Sequence, residues 1–205
     1  MNKKNIILPI SYFPPITYFF YIYNYENIFI EINEHYQKQT IRNHTIISGA
    51  NGNQKLIIPI KRKSYSKTVI SEVKIQNKLW VKKHIQAIQT NYGNSPFFIH
   101  YFDDIKQIIL NSGNNLFYLN KKILDYILKQ LNLNKKINYT KIFNKTLKED
   151  FHDLRNFEKK KIIKLNYTQT FCNQKININI SILDLLFNLG NDSKNFISKL
   201  NFEKT

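Results

Sequence analysis

The first 25 residues constrain the fold most strongly, because no charged side chain occurs between residues 4 and 26. Three prolines interrupt this apolar stretch, and the adjacent Pro14 and Pro15 would break a membrane-spanning helix near its middle. The segment is therefore predicted to form a buried strand over 5–10, a tight proline turn and an aromatic helix over 15–23. No small-residue cleavage site follows. We expect a cytoplasmic protein without a membrane span.

The pattern of apolar residues predicts the remaining elements. Runs of β-branched residues and an Asn-Gly turn signal predict strands at 27–32, at 44–48 and 54–60 as a hairpin, at 72–75 and at 137–143. Helical spacing, proline in a first turn and a capping signal predict helices at 79–92, from 95, at 115–133 and at 181–190. A short helix at 148–155, a basic linker at 159–165 and an alternating run at 176–180 complete the prediction.

These elements predict an α+β or α/β fold, in which a small N-terminal mixed β-sheet with a hairpin precedes a mainly helical region. We expect one domain over 1–205, with a sheet-rich part at 1–76, a helix-rich part at 77–134 and an irregular part at 135–205. Hydrophobic residues make up 42% of the chain, so it can bury a sizeable core. The single cysteine, Cys172, cannot form an internal disulfide and is expected to be a buried apolar residue.

The chain is strongly basic, with 31 Lys and Arg against 14 Asp and Glu and a net charge of +17. Such a charge attracts polyanions, including nucleic acid and anionic lipid. The alternative is compositional drift, because the abundant Lys, Asn and Ile have AT-rich codons and bidentate phosphate recognition favours Arg over Lys. We favour drift and expect the basic runs at 61–63 and 159–161 to be solvated loops.

Several motifs of well-known enzyme and metal-binding classes are absent from the sequence. It contains no phosphate-binding glycine loop, no paired cysteines, no His-x-x-x-His pair and no Gly-x-Ser-x-Gly elbow. These absences argue against a P-loop enzyme, a structural zinc protein and an α/β-hydrolase. The sequence identifies neither a cofactor nor a metal site.

Residues 31–44 are dense in functional groups and follow a predicted strand, a position where loops often carry sites. Glu34 is a candidate general base if burial raises its pKa. Lys38 and Arg42 are candidate ligands of a phosphate or carboxylate. The alternative is a surface ion-pair cluster at the rim of the hairpin, which the local sequence favours.

His84 lies one helical turn after Trp80 and two turns before Tyr92. This spacing places the three side chains on one helix face. It predicts a pocket walled by Trp80 and Tyr92, in which His84 is a general acid or base. The alternative is a helix-face histidine with an ordinary hydrogen-bond partner, which the sequence alone favours.

Five blocks of sequence, taken in order, resemble the WbqC-like family of bacterial proteins. They are Tyr-Phe-Pro-Pro-Ile-Thr-Tyr-Phe at 12–19, Glu-His-Tyr-Gln-Lys-Gln-Thr-Ile-Arg-Asn at 34–43, Leu-Ile-Ile-Pro-Ile at 56–60, the block from Trp80 to Phe98, and the block from Ser181 to Gly190. The chain departs from the family at 8–10, where many members carry His-Gln-Pro, and at His44, where an Arg often stands.

The resemblance implies a role in surface-polysaccharide or amino-sugar biosynthesis and suggests acyl or aminoacyl transfer to a nucleotide-linked sugar. It brings together a set of predicted site residues, with Glu34 and His84 as catalytic groups and with Tyr36, Lys38, Arg42, Asn43, Trp80 and Tyr92 as ligands of the small-molecule substrate. In this hypothesis Lys38 and Arg42 neutralise a diphosphate, while an aromatic ring packs on the sugar. The alternatives are a non-enzymatic protein that binds nucleic acid or an anionic surface, and a scaffold module.

Overall fold

The computed structural model describes residues 4–61, 67–157, 167–170 and 180–200. Within these residues, four strands form a parallel sheet and two form a separate antiparallel hairpin. In chain order the strands are β1 (Asn5–Pro9), β2 (Asn27–Glu31), β3 (His44–Ile47), β4 (Gln54–Ile57), β5 (Ile137–Tyr139) and β6 (Phe151–Asp153). The parallel sheet has the spatial order β5-β2-β1-β6, so its two edge strands come from the second half of the chain.

Helices make up most of the other regular structure in the described ranges. They are α1 (Ile16–Asn24), α2 (Leu79–Tyr92), α3 (Phe98–Leu110), α4 (Leu116–Gln130), α5 (Ile182–Leu189) and α6 (Ser193–Ser198), with short 3-10 helices at Ile70–Glu72 and Gly190–Asp192. Pro15 is the residue before α1, where its missing N–H costs no helical hydrogen bond. None of these helices combines the length and the apolar character that crossing a membrane requires.

The two central strands of the parallel sheet bury one face in the main hydrophobic core. Ile6 and Leu8 of β1 lie beside Ile28 and Ile30 of β2, and all four side chains are fully buried. Parallel strands need a crossover between them, and α1 supplies it for β1 and β2.

The opposite face of this sheet, which we call the outer face, is covered by a loop. Side chains alternate between the faces of a strand, so Ile7 and Phe29 project away from the residues that enter the core. Strands β5 and β6 lie on opposite edges of the sheet, and residues 140–150 connect them without a helix. We call residues 140–150 the crossover segment.

Helix α5 completes the core from the C-terminal side. Ser181 caps it, because the Ser181 Oγ accepts a hydrogen bond of 3.3 Å from the Leu183 N–H. The backbone N–H groups of Ser181 and Ile182 donate to the carbonyls of Ile46 and Pro14, over 2.7 and 2.9 Å. These bonds attach α5 to the hairpin and to the proline turn after β1.

The predicted mixed α/β class, with strands first and helices later, is confirmed. The predicted helix at 79–92 coincides with α2, and the predicted hairpin contains β3 and β4. The aromatic helix and the capped helix correspond to α1 and α5. The division of 1–205 into one domain with three parts stays a prediction.

Two predicted elements are wrong. Residues 148–155 form no helix, because the backbone of 151–153 pairs with β1 as strand β6. Residues 72–75 form no strand; a 3-10 helix ends at Glu72, and Lys74 and Ile75 make only isolated bridges. The predictions for 62–63, 159–165, 176–179 and Cys172 lie outside the described residues.

Candidate functional site

Helix α2 carries Trp80 and His84 one turn apart, so both side chains project from the same helix face. Their ring centroids lie 4.9 Å apart in an edge-to-face arrangement. Tyr12, which follows β1, completes the group, with its hydroxyl 2.9 Å from His84 Nδ1 and its ring centroid 6.2 Å from that of Trp80. All three residues are buried, and we call them the aromatic cluster.

Burial fixes the protonation of the aromatic cluster. It lowers the pKa of His84 to about 4, although a hydrogen bond with the Ile57 backbone opposes this shift, so the ring is neutral at pH 7. Burial raises the pKa of Tyr12 well above its ordinary value of 10, so its hydroxyl keeps its proton. A neutral imidazole has one donor and one acceptor nitrogen. If the ring donates to the Ile57 carbonyl, Nδ1 accepts from Tyr12.

A cleft of about 410 Å³ lies beside the aromatic cluster, between α2 and strand β4. Trp80 and His84 form part of its wall, and Lys55 and Lys83 also line it. The Trp80 Nε1 is buried and donates to no group among the described residues. The cleft therefore combines an indole, a neutral imidazole and two ammonium groups, which together suit a sugar that carries phosphate.

Glu34 and Arg42 bind each other in the interior instead of facing an open pocket. Arg42 Nε lies 2.7 Å from Glu34 Oε1, and Nη2 lies 2.5 Å from the same oxygen. Nη2 also donates to the Arg155 carbonyl over 3.0 Å, and Nη1 donates to Thr40 Oγ1 over 3.2 Å. Arg42 is only 2% exposed. Each guanidinium nitrogen therefore has a protein partner.

Burial raises the pKa of Glu34, and the adjacent Arg42 guanidinium opposes that shift. The raised pKa meets one condition for a general base. The other condition is access to a substrate proton, which the ion pair with Arg42 restricts. The catalytic role of Glu34 stays a prediction.

The neighbouring predicted ligands lie in different surroundings. Tyr36 is buried, and its backbone N–H donates to the Thr68 carbonyl over 2.9 Å. Asn43 is also buried, and its side-chain amide donates to the Ile58 carbonyl over 3.0 Å. Lys38 is exposed. Asn43 thus bridges the hairpin strands, whereas Lys38 remains accessible to solvent.

Tyr92 belongs to a separate buried network and not to the wall beside Trp80. Its hydroxyl accepts from the Ser48 N–H and donates to Asp184 Oδ2, both over 3.0 Å, and its ring packs on Phe187. Asp184 also accepts hydrogen bonds from Tyr167 and Gln169. This network joins α2 to α5, so the geometry of Tyr92 is that of a residue holding two helices together.

The predicted proximity of Trp80 and His84 on one helix face is confirmed, but their partner Tyr12 was not predicted. The signal for Tyr12 was present, because it opens the first block of the family resemblance. Lys55 and Lys83 carried no signal, since they are two of many lysines. Within the described residues, no three His, Cys, Asp or Glu side chains form a group that could hold a metal ion.

Comparisons with known proteins agree with the resemblance. The model of the WbqC-like protein family matches residues 10–160. An uncharacterized protein of Mycobacterium tuberculosis, Rv1507c, is 28% identical over 136 residues, which cover 66% of this chain and 59% of that protein. The chain thus spans less than two thirds of this curated relative. No solved structure matches the chain.

Proposed function

Since this chain belongs to the WbqC-like protein family, we propose that it is an enzyme of surface-polysaccharide or amino-sugar biosynthesis. Its substrate in this proposal is a nucleotide-linked sugar bound in the cleft beside Trp80, and its reaction is acyl or aminoacyl transfer to that sugar. The observation that carries the proposal is that His84, a neutral imidazole bonded to Tyr12, lies in the wall of the cleft that also contains Trp80.

Each group in the cleft has a role that follows from its chemistry. Trp80 packs against the sugar ring, and Lys55 and Lys83 neutralise the diphosphate. The acyl donor in this proposal is an ester or thioester, and its alkoxide or thiolate leaves as the sugar hydroxyl or amine bonds to the acyl carbon. His84 accepts the proton that the sugar group loses, at the ring nitrogen released from the Ile57 backbone. The ring proton must first move to Nδ1, which then donates to the Tyr12 oxygen. Tyr12 holds the ring in the required orientation.

In this proposal, the remaining predicted residues stabilise the segments that form the cleft. The ion pair between Glu34 and Arg42 holds the segment that leads into the hairpin. Asn43 fixes the hairpin through the Ile58 carbonyl. Tyr92 anchors the far end of α2. Lys38, which is exposed, remains a candidate ligand for a substrate phosphate.

The test uses Trp80, which is the single tryptophan of the chain, as a fluorescent reporter inside the cleft. We expect UDP-N-acetylglucosamine to change its emission in a saturable way. The Lys83→Ala variant should weaken this binding about tenfold, because a hydrogen bond to a charged group contributes about 1.5 kcal/mol or more.

Lys82→Ala is the matched control, because Lys82 is an exposed neighbour on α2 that does not line the cleft. It should bind like the unmodified protein. An unchanged Trp80 emission in a folded protein would contradict the proposal. Binding of generic RNA with a steep loss at higher salt, without any response to the nucleotide sugar, would favour the nucleic-acid alternative.

A further inference from the structure

A second cavity, of about 740 Å³, lies between the outer face of the parallel sheet and the crossover segment. Ile7 and Phe29 form part of its apolar lining. Glu31, the last residue of β2, lines it as well. In open parallel sheets, ligands bind beyond the carboxyl ends of the strands, and Glu31 lies at such an end.

The two carboxylate oxygens of Glu31 differ in their hydrogen bonding. Glu31 is 1% exposed, and its Oε1 accepts from the Asn33 N–H over 2.8 Å and from the Thr140 hydroxyl over 2.6 Å. Its Oε2 accepts no hydrogen bond from any described residue, and the 3.8 Å to Arg155 Nη1 is too long for one. A buried carboxylate oxygen in this state favours the entry of a hydrogen-bond donor, because an unsatisfied buried charge is costly.

A second polar side chain lies on the same face. Asn138 of β5 is in register with Phe29 and lines the cavity, and its amide nitrogen donates to the Ile28 carbonyl over 3.3 Å. Its side-chain oxygen can accept a hydrogen bond from a ligand. The next residue, Tyr139, is in register with Ile30 and packs on Phe117, so its hydroxyl lies on the core side of the sheet.

We propose that this cavity binds the sugar ring of a small polyhydroxylated ligand. One ligand hydroxyl donates to Glu31 Oε2, and another donates to the side-chain oxygen of Asn138. The ring belongs either to a free monosaccharide or to the ribose of a nucleoside, which offer the same hydroxyl chemistry. This site shares no lining residue with the cleft beside Trp80, so the two proposals stand or fall separately.

The chain path supports a sugar over a dinucleotide as the ligand. In dinucleotide-binding units, an acidic residue at the end of the second strand accepts hydrogen bonds from ribose hydroxyls, and Glu31 has the corresponding place in β1–α1–β2. Such units also have a glycine-rich turn after the first strand, which holds the pyrophosphate. This chain has Pro14 and Pro15 before α1 instead. The hydroxyl-binding half of the arrangement is therefore present without the pyrophosphate-binding half.

The test is calorimetric titration of the full chain with uridine and, separately, with glucose. We expect one of them to bind without changing Trp80 emission, since Trp80 does not line this cavity. Uridine binding identifies a nucleoside ribose, and 2′-deoxyuridine should then bind more weakly. Glucose binding identifies a monosaccharide. If neither ligand binds, the proposal is overturned.

The Glu31→Gln variant replaces Oε2 by an amide nitrogen or leaves an uncharged acceptor, and it should weaken the binding about tenfold or more. Glu26→Gln removes an exposed carboxylate just before β2 and should bind normally. Asn138→Ala removes the second contact at a half-buried position and tests the site even if Glu31→Gln does not fold. Unchanged affinity in a folded Glu31→Gln protein, or in Asn138→Ala where that protein alone folds, rejects this site.

Discussion

Arg42 illustrates how this protein keeps a guanidinium in its interior. A buried ion pair contributes little net stability over an apolar pair, but removal of one partner leaves a buried charge without compensation. Arg42 contacts Glu34, Thr40 and the Arg155 carbonyl, and its own carbonyl accepts from Asn120 over 2.7 Å. One side chain thus connects segments that lie far apart in sequence.

We therefore expect Arg42→Ala to lower the free energy of unfolding by about 3–5 kcal/mol, because Glu34 is left buried and unpaired. Urea denaturation measures this change. Lys121→Ala is the control, since the Lys121–Asp125 pair is partly exposed and should contribute less than about 1 kcal/mol. Similar losses of unfolding free energy in the two variants would mean that the buried ion pair contributes no more to stability than the exposed one.

His84 makes stability depend on pH. Its pKa is lowered to about 4 in the folded protein, against the ordinary histidine pKa of 6.5 in the unfolded chain. Between pH 4 and pH 6.5 the unfolded chain therefore binds the proton more readily than the folded protein. Stability is therefore fully present above pH 6.5 and is lost as the pH falls toward 4, by about 3 kcal/mol at most for this residue. His44, whose pKa is also lowered to about 4 by burial, contributes in the same direction.

The His84→Asn variant should lose less stability than the unmodified protein when the pH is lowered from 6.5 to 4, as measured by urea denaturation at each pH. The difference isolates His84, because His44 and the carboxylates titrate in both proteins. His100→Asn, at an exposed position, should retain the full pH dependence. Parallel pH profiles for the unmodified protein and His84→Asn would contradict the burial of a neutral imidazole.

The sequence predicted some neighbouring side chains but not the partners that bury Glu34 and Arg42. The density of ionic groups at 31–44 identified Glu34 and Arg42, yet an eight-residue separation within a loop does not reveal whether two side chains meet. The carbonyl of Arg155, 113 residues from Arg42, was beyond local reasoning. Trp80 and His84 were predictable as neighbours, because the period of a helix fixes their relation.

At the scale of elements, Arg155 attaches the crossover segment to the end of β6. Arg155 donates to the carbonyls of Asn144 and Lys145 over 2.7 and 3.2 Å, and it forms an ion pair with Asp153. Its guanidinium also lies 5.1 Å from the centroid of the Phe143 ring. The planar fork of Arg155 thus joins β6 to the segment that covers the outer face.

Lysine cannot reproduce these bonds, because it is a point charge without the forked geometry. In Arg155→Lys we expect backbone amides of the crossover segment to exchange with solvent about tenfold faster or more, as measured by hydrogen exchange. Lys141→Arg, in the same segment, should leave the exchange rates unchanged. Equal protection in Arg155→Lys and the unmodified protein would show that other contacts hold the segment.

Elements could be predicted where the pattern was local in sequence, but not where they depend on pairing with a distant strand. The bounds of α2 could be predicted because its buried positions recur with helical period within one segment. Strand β6 could not be predicted, since its three residues include His152 and Asp153 and its stability comes from pairing with β1 far away in sequence. Parallel pairing leaves no local turn signal of the kind that identified the β3–β4 hairpin.

At the scale of the whole molecule, the core is built from both ends of the chain. The model of the family ends its match at residue 160, but α5 lies beyond that point and is almost entirely buried. The Ile16 N–H donates to the Ile180 carbonyl over 3.0 Å, and the Phe97 N–H donates to the Phe187 carbonyl over 3.0 Å. Residues 180–189 thus satisfy backbone N–H groups of α1 and of the turn before α3.

We therefore expect a chain that ends at residue 160 to lack a cooperative unfolding transition, although it contains the whole range matched by the family. Loss of α5 exposes the apolar residues that it covers. The Tyr92 hydroxyl also loses Asp184, the acceptor of its hydrogen bond. Circular dichroism during thermal unfolding measures the transition. A chain that ends at residue 200 is the control and should unfold like the full chain, since it retains α5 and α6. A sharp transition in the shorter chain would mean that residues 1–160 form an independent core and that α5 is an addition to it.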